Sequence, residues 1–307
     1  MDILTDIFGT LDLKGVLYFR TNFSPPWAVE VPSLEDTARF HLVIQGTCHV
    51  ILPKGESLVL NTGDLILLPR GQSHILADRL TNEAQSLETV LDDLNYDGNG
   101  VLIVGQGDEC AATKMVCGHF TYRKGAAHPL LNSLPDYIHT TAGDRVTEPL
   151  LDELLRLISH RIFIENIGSK AAVTRMSEIV FIELVRAGIS RDESLSTMIN
   201  AFRDKCIGHA LELIHKRTSE PWEVESLARE VGMSRSRFSN RFSDLMNVSP
   251  MAYLAEWRLQ KALTLLGDAR ISVQQVSNRV GYQSPAAFTR AFSKRFGESP
   301  SQYQKSA

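Results

Sequence analysis

The 307-residue chain lacks the features that mark several classes of protein. It has only four Cys, at positions 48, 110, 117 and 206, too few and too scattered for a disulfide framework. No apolar run approaches the roughly 20 residues of a membrane-spanning helix, and the first residues are acidic where a secretory signal is basic. With 43% hydrophobic and 22% charged residues, a collagen-like or disordered chain is also excluded. We therefore expect a globular, cytoplasmic protein without a membrane partner.

Charge is unevenly distributed along the chain. Residues 200–307 contain 16 Lys and Arg against 10 Asp and Glu, whereas residues 1–199 contain 16 against 26. This asymmetry predicts a basic module that binds a polyanion, joined to an acidic module that does not bind one. The length also favours two domains, because single domains usually have about 100–200 residues.

The last third of the chain contains one pattern twice. Leu-Ala, Val-Gly, Phe-x3-Phe and Ser-Pro-x2-Tyr follow one another between Leu227 and Tyr253, and related residues return between Val276 and Tyr303. From the first Phe onward, the offset between the copies is a constant 50 residues. Each copy predicts a short helix, a glycine turn and a second helix capped by Ser234 or Ser284. This order is the signature of a helix-turn-helix unit.

The second helix of each copy has two contrasting stripes. One stripe is rich in Phe, which predicts a buried face. The opposite stripe carries small polar side chains and one longer one at equivalent positions: Ser236, Ser239, Asn240 and Ser243, then Ala286, Thr289, Arg290 and Ser293. Cations flank both stripes: Arg235, Arg237, Arg241, Lys294 and Arg295. Asn can pair with adenine and Arg with guanine, while flanking cations hold phosphates, so DNA reading is predicted over the alternative of a solvated surface helix.

Between the copies, residues 251–266 contain no Gly or Pro and predict one long helix. A rigid connector would let both reading helices enter successive major-groove faces about one turn, ~34 Å, apart. One chain could then read a site that usually needs a dimer.

From Ile207 to Tyr303 the sequence resembles the AraC/XylS family of transcription regulators. The motifs are Ser226-Leu227-Ala228, Trp257-Arg258, the stretch from Ala287 to Gly297, and Ser299-Pro300-Ser301-Gln302-Tyr303. The resemblance implies base-facing roles for six residues: Ser236, Ser239, Asn240, Ala286, Thr289 and Arg290. Pro285 and Ala286 stand where relatives can carry longer polar side chains, so this site is expected to read the thymine methyl or local shape. Double-stranded operator DNA is the expected partner, with RNA polymerase as a further one.

The N-terminal half predicts many short strands separated by turns, which favours a barrel or jelly roll. The spacing Gly63-x5-Pro69-x-Gly71-x2-His74 resembles the second cupin motif with every spaced residue present. The first motif is not intact, because a metal-holding cupin needs two His one residue apart and a later carboxylate. His41 stands alone and His49 follows Cys48. We therefore expect no metal and no cofactor.

His74 has two interpretations: a structural histidine, or a contact to a small effector. The stretch from Cys117 to Phe120, followed by His128-Pro129-Leu130-Leu131, also resembles a subgroup of cupin-bearing AraC regulators. The candidate effector-pocket residues are His41, His74, Cys117 and His119. Two alternatives remain open: a cupin metalloenzyme with an accessory DNA domain, and a regulator that senses an oxidant through thiols such as Cys110 and Cys117.

Residues 149–188 predict two amphipathic helices, which could cover the barrel or, as the resemblance implies, form a dimer interface. The predicted organisation is a cupin-like sensor at 1–148, a helical dimerisation segment at 149–188, a linker at 189–199 and the DNA-binding domain at 200–307. The fold class is thus α+β with two domains, a cupin-like β-barrel or jelly roll and an all-α double helix-turn-helix. The sequence does not distinguish an activator from a repressor.

Overall fold

A computed structural model describes residues 3–81, 83–98, 100–105, 111–126, 128–161, 167–191 and 200–306. The chain divides into two compact units, neither of which is continuous in sequence. The sheet unit contains Leu13–Tyr122 and Leu134–Gly188. The helical unit contains Met1–Asp12, Arg123–Ser133 and Ile189–Ala307. Two short segments from the first half of the chain therefore belong to the unit that carries the C-terminal repeats, while the predicted domain boundaries remain a prediction.

The sheet unit is built from short strands separated by turns, as the sequence predicts. The strands are β1 Lys14–Phe23, β2 Ala28–Val31, β3 Thr37–Gln45, β4 Thr47–Ile51, β5 Ser57–Asn61, β6 Leu65–Leu68, β7 His74–Ala77, β8 Gln85–Ser86, β9 Val101–Val104, β10 Thr113–Thr121 and β11 Ile138–Thr140. One sheet has the order β11-β6-β3-β10-β1-β9 and the other β5-β4-β7-β2-β8. Over the described residues these are two separate sheets and not a closed barrel, which corresponds to the jelly-roll form of the prediction.

The core of the sheet unit lies where the two sheets face each other. Strands β3 and β10 occupy the middle of the larger sheet, and their central residues are buried on both faces. In β4 buried residues alternate with more exposed ones, so only one face of that strand meets the core. Large apolar side chains from both sheets fill the space between them: Phe23, Trp27, Val43, Val50, Leu60, Ile66, Leu68 and Met115.

Helices complete the sheet unit. They are α2 Leu87–Asp93, α4 Pro149–Arg161 and α5 Ser169–Arg191, with a 3-10 turn at Asp144–Thr147. The rings of Phe120 on β10 and Phe181 on α5 lie 5.0 Å apart, so α5 packs on the larger sheet. The predicted apolar periodicity of α4 is observed, with Leu151, Leu154, Leu155 and Ile158 buried, while Ile162 lies outside the described residues. Helix α5 continues to Arg191, through the first residues of the predicted linker.

The helical unit contains α1 Ile3–Leu11, α3 Pro129–Ser133, α6 Ile207–Lys216, α7 Val224–Glu230, α8 Arg235–Met246, α9 Pro250–Leu266, α10 Val273–Arg279, α11 Pro285–Phe296 and α12 Pro300–Ser306. Helices α7 and α8 form the first predicted helix-turn-helix, α10 and α11 the second, and α9 is the predicted connector. In the part of the chain described, no helix is both long enough and apolar enough to cross a membrane.

Candidate nucleic-acid interface and effector cavity

The two candidate reading helices are equivalent in length and in their ends. Helices α8 and α11 each have 12 residues, and both their first and last residues are offset by 50. Ser234 and Ser284 occupy the N-caps, and the Ser284 hydroxyl accepts from the backbone N–H of Ala287 at 3.2 Å. Asn247 and Gly297, again 50 apart, end the helices in the left-handed conformation. The sequence repeat is therefore a structural repeat.

Each reading helix buries its aromatic stripe and exposes the opposite one. Phe238 and Phe242 on α8, and Phe288 and Phe292 on α11, are fully buried. On the opposite face, exposed residues are Ser236, Asn240, Pro285, Ala286 and Arg290, while Ser239 and Thr289 are half-buried. This arrangement matches the stripes predicted from the sequence and leaves Asn240 and Arg290 accessible.

The flanking cations differ in how strongly they are held. Arg241 donates from Nε to Oδ2 of Asp204 at 2.9 Å, and its Nη2 donates to the same atom. Arg295 donates from Nε to both carboxylate oxygens of Glu256, and Arg235 lies 3.4 Å from Glu225. Within the described residues, no ion pair involves Arg237, Arg290 or Lys294. These three exposed cations can contact a phosphate or a base without first breaking an internal ion pair.

The connector α9 is a shared wall for both helix-turn-helix units. Near its start, the ring of Tyr253 lies 5.8 Å from that of Phe242 in the first unit. Its second half supplies Leu259, Ala262, Leu263 and Leu266 to the core of the second unit. Arg258 ties the helix to the turn before α7, because its guanidinium donates to the carbonyls of Thr218 at 3.0 Å and Glu220 at 2.6 Å. The connector therefore fixes the relative position of α8 and α11 within this unit.

The glycines of the two turns provide a matched pair of substitutions. Gly232 and Gly281 have φ of +68° and +84°, a region that disfavours L side chains. A Cβ at Gly232 meets nothing within 4 Å, whereas one at Gly281 would lie 2.8 Å from the Ser219 backbone. We expect Gly232→Ala to cost about 1 kcal/mol of unfolding free energy and Gly281→Ala about 3 kcal/mol, since overpacking adds to strain. Urea unfolding measures both, and equal losses would contradict the close approach at Gly281.

A buried chain of polar side chains joins distant segments of the helical unit, and the sequence analysis missed it. His215 on α6 contacts Oδ2 of Asp6 through Nδ1 at 3.0 Å and the Tyr253 hydroxyl through Nε2 at 2.7 Å. The Tyr253 hydroxyl also lies 3.1 Å from Nε2 of His128. Lys261 on α9 donates to Oδ1 of Asp6 at 2.5 Å. The chain thus links α1, the 123–133 segment and the connector.

Donors and acceptors in this chain form one consistent set. Nδ1 of His128 accepts from the Leu130 N–H at 3.1 Å, so its Nε2 carries the proton and donates to Tyr253. Tyr253 in turn donates to Nε2 of His215, and Nδ1 of His215 donates to the Asp6 carboxylate. Burial works to raise the pKa of Asp6, but the hydrogen bonds from His215 and Lys261 outweigh it and lower that pKa. Burial lowers the pKa of His128 to about 3, which keeps its ring neutral.

Both tyrosines of the sequence repeat reach the same segment. Tyr253 contacts His128, and Tyr303, its equivalent 50 residues later, donates to the carbonyl of Lys124 at 3.4 Å. The Ser-Pro-x2-Tyr motif was visible in the sequence as part of the repeat. Its partners were not, because no local pattern marks residues 123–133 as part of this unit.

A small cavity of about 30 Å³ lies between the two sheets of the sheet unit. Apolar side chains from both sheets make most of its wall, among them Phe23, Val31, Leu76, Leu102 and Met115. The polar residues that line it are Thr21, Arg39, His41 and Cys117. Two of these face each other across adjacent strands, because His41 on β3 is the register partner of Cys117 on β10. The surface of the cavity is therefore almost entirely apolar, although Arg39 and His41 are among the residues that line it.

His41 and His74 form a buried pair. Their Nε2 atoms lie 2.8 Å apart, and Nδ1 of His74 is 3.0 Å from the carbonyl of Gln72. A carbonyl only accepts, so Nδ1 of His74 carries the proton and its Nε2 accepts from Nε2 of His41. Burial lowers the pKa of His74 to about 4 and lowers that of His41 well below its ordinary value. Both rings are neutral, and Nδ1 of His41 is left as an acceptor with no partner in the described part of the chain.

The four predicted pocket residues are only partly brought together. His41 and Cys117 line the cavity, whereas His74 lies behind His41 and His119 is not part of the wall. Burial lowers the pKa of His119 to about 4. In the ranges that the structure describes, no group of three or more His, Cys, Asp or Glu side chains is placed to hold a metal ion.

The two thiols that the structure describes in the sheet unit, those of Cys48 and Cys117, are buried. Burial raises the pKa of Cys48 to about 12 and also raises that of Cys117, which disfavours the thiolate in both. Cys110, the other half of the redox interpretation, lies outside the described residues.

Two family models match the chain. A family model described as a cupin matches residues 2–190, and one described as a helix-turn-helix domain matches residues 227–306. The transcriptional regulator AlkR of Acinetobacter baylyi is 30% identical over 99% of both chains. The regulator MtrA of Neisseria gonorrhoeae is 26% identical over 99% of this chain and 98% of its own.

Among solved structures, the DNA-binding domain of AdpA, determined with a target DNA, is 31% identical. The match covers 34% of this chain and 92% of the AdpA domain, with a TM-score of 0.32. The cupin and helix-turn-helix matches, together with a relative that is similar over its whole length, confirm the resemblance stated from the sequence. The chain belongs to the AraC family of helix-turn-helix transcriptional regulators that carry an N-terminal cupin domain.

Proposed function

We propose that this DNA-binding regulator reads its operator with the exposed faces of α8 and α11, where Asn240 and Arg290 contact bases. The observation that carries the proposal is the structural repeat: two 12-residue helices, offset by 50 residues, that bury equivalent aromatic stripes and expose equivalent polar ones. Asn240 and Arg290 hold the same position on the two faces. Arg237 and Lys294 lie beside them as phosphate contacts, while Arg241, already bound to Asp204, contributes less.

The test separates base reading from general basicity. A bidentate base contact is worth about 1–3 kcal/mol of discrimination, whereas a phosphate contact changes the affinity for all sequences almost equally. We expect Arg290→Ala to lose about 10- to 100-fold in affinity for operator but little for scrambled DNA. Asn240→Ala should likewise lose affinity for operator but little for scrambled DNA, and the lost preference should lie in the other half-site, near an adenine. The measurement is a competition titration against operator and scrambled duplex.

Lys294→Ala is the matched control on the same helix. It removes an exposed cation beside the reading stripe, so it should weaken binding to both duplexes by one factor and reduce the salt slope by about one. If Arg290→Ala and Lys294→Ala lose equal factors on both duplexes, α11 does not read bases and its assignment has to be withdrawn.

We further propose that a small effector binding in the cavity of the sheet unit controls the regulator. Support comes from the cavity's position between the sheets, its apolar wall, and the presence of Thr21, Arg39 and His41 among the residues that line it. A pocket of this kind, apolar with a few placed polar groups, is typical of small-molecule sites. The oxidant-sensing alternative has less support, because burial disfavours the thiolates of Cys48 and Cys117. A mass shift of either thiol under mild oxidant would restore it.

The remaining roles are proposals that rest mainly on the family. We propose a cytoplasmic, non-enzymatic protein that contacts RNA polymerase, since the relatives are named as transcriptional regulators. We also propose a homodimer formed through α4, which exposes Leu150 and Leu157, 54% and 37% accessible, along one side of its buried stripe. Sedimentation equilibrium of the full chain measures the association state.

A further inference from the structure

The two helix-turn-helix units differ in charge although their reading helices are equivalent in length and ends. Helices α7 and α8 carry four cations and three carboxylates, whereas α10 and α11 carry four cations and no carboxylate. One difference lies beside the reading stripe itself. Asp244 on α8 precedes Lys294 on α11 by 50 residues, so the repeat has opposite charges at one equivalent position.

The position of Asp244 is the one at which α11 presents a phosphate contact. Asp244 follows Asn240 by four residues, as Lys294 follows Arg290. Four residues are slightly more than one turn, so each charged residue lies about 40° to the side of its reading residue. Both charged residues are exposed, and Asp244 has no ion pair within the described residues. Helix α8 therefore presents a carboxylate where α11 presents an ammonium group.

The stability of α8 does not account for Asp244. This residue lies in the last turn of the helix, where the unpaired carbonyl groups favour a cation and disfavour an anion. Helix α11 follows this rule, with Lys294 and Arg295 in its last turn, whereas the last turn of α8 has no basic residue. Asp244 therefore weakens its own helix end slightly, and what it changes is the charge that α8 presents to DNA.

Ion pairs within the protein increase the difference between the two helices. On α8, two of the three cations, Arg235 and Arg241, are paired with carboxylates. The third, Arg237, is offset by the opposite charge of Asp244. On α11 only Arg295 is paired. Two cations therefore remain on α11, and the helix itself carries no carboxylate to oppose them.

We propose that the two units bind DNA unequally: α11 binds its half-site more tightly, and Asp244 weakens the binding of α8 by repelling a phosphate. This inference rests on the proposed function, in which both helices read bases. The reading stripes fit this division, because Ser236 on α8 can hydrogen-bond to a base and its equivalent Ala286 cannot. Helix α8 depends on hydrogen bonds to bases, while α11 adds a phosphate contact to the base contact of Arg290.

Two short duplexes of equal length, each carrying one half-site of the operator and ending before the other, separate the units. The half-sites are identified by the base preference that is lost in Arg290→Ala and in Asn240→Ala. We expect the full chain to bind the α11 half-site at least about tenfold more tightly, with a salt slope steeper by about one. Equal affinities, equal slopes or tighter binding of the α8 half-site would overturn the inference.

Exchanging the charges locates the effect. Asp244→Lys gives α8 the cation that α11 has, and it should fold because a cation suits the end of a helix. It should tighten binding to the α8 half-site about tenfold, steepen the salt slope there by about one and leave the α11 half-site unchanged. The reciprocal Lys294→Asp should weaken binding to the α11 half-site alone.

Glu88→Lys is the control for net charge. Glu88 is an exposed residue of α2 in the sheet unit, so this variant changes the net charge by the same amount and should leave the affinity for both duplexes unchanged. If Glu88→Lys tightens binding as much as Asp244→Lys does, or if Asp244→Lys leaves the α8 half-site unchanged, the inference is wrong. The proposed function fails separately, in the titration of Arg290→Ala against operator and scrambled DNA.

Discussion

Lowering the pH from 6.5 to 4.5 is expected to remove about 2 kcal/mol from the stability of the sheet unit through the ring of His74, and the ring of His41 adds to this loss in the same direction. In the unfolded chain these rings take up protons below about pH 6.5. In the folded unit burial keeps them neutral, and the pKa of His74 falls to about 4. Between these values the unfolded state binds more protons, so stability falls as the pH falls. A domain is stable by only about 5–15 kcal/mol, so the loss is large.

Amide hydrogen exchange in β3 and β10, corrected for the intrinsic pH dependence of exchange, measures this loss. His74→Gln should make the pH dependence shallower by about 1.4 kcal/mol per pH unit, since one ring no longer titrates. The matched control is Leu60→Ala, a buried residue of the same core, which should lower stability at every pH without changing the slope. If the stability of His74→Gln changes with pH as steeply as that of the wild type, the buried pair is not the source of the pH dependence.

Asp6→Ala is expected to destabilise the helical unit by about 3 kcal/mol, because it leaves the buried Nδ1–H of His215 and the Lys261 ammonium without their shared acceptor. The side chain of Asp6 is 6% exposed and that of His215 is 2% exposed, so water replaces little of what is lost. Asp6→Asn retains an oxygen for His215 but puts an NH2 group where Oδ1 accepts from Lys261, whose side chain is 28% exposed and can turn to water, so we expect a smaller loss of about 1 kcal/mol. Hydrogen exchange in α6 and α9 measures both.

The control for Asp6 is Glu212→Ala on α6. Glu212 pairs with Lys216 at the surface, where both side chains are more than 40% exposed, so its loss should cost at most about 0.5 kcal/mol. If Asp6→Ala is no more destabilising than Glu212→Ala, the buried chain does not hold α1 in the helical unit.

The reading helices could be predicted from the sequence because their information is local. The Phe stripes, the Ser caps and the glycine turns all act within a few residues, and the constant offset of 50 repeats them. The predicted strands hold for the same reason, since turn residues separate short apolar runs. The end of α5 differs from the expectation, since the helix continues to Arg191, and where a helix ends depends on packing between elements.

The cavity and the buried polar chain required the tertiary structure. His41 meets His74 because two sheets face each other, and Cys117 because of the register of β3 against β10. His74, the residue of the intact cupin motif, supports His41 instead of lining the cavity. Asp6 and His215 are 209 residues apart, and no periodicity relates them. Pairings of this range come from register and topology, which composition and spacing do not encode.

The discontinuity of the helical unit has a consequence for synthesis in the cell. Helix α1 is made well before the rest of the helical unit, yet its partners His215 and Lys261 leave the ribosome more than 200 residues later. At about 5–20 residues per second, this interval is roughly 10–40 s. During it the apolar face of α1, with Ile7 and Leu11 that end up buried, has no finished surface to cover it. The nascent chain therefore exposes the apolar face of α1 while the sheets form, and we expect a chaperone to bind this helix during synthesis. The DNA-binding unit becomes functional only after its last helices have been made.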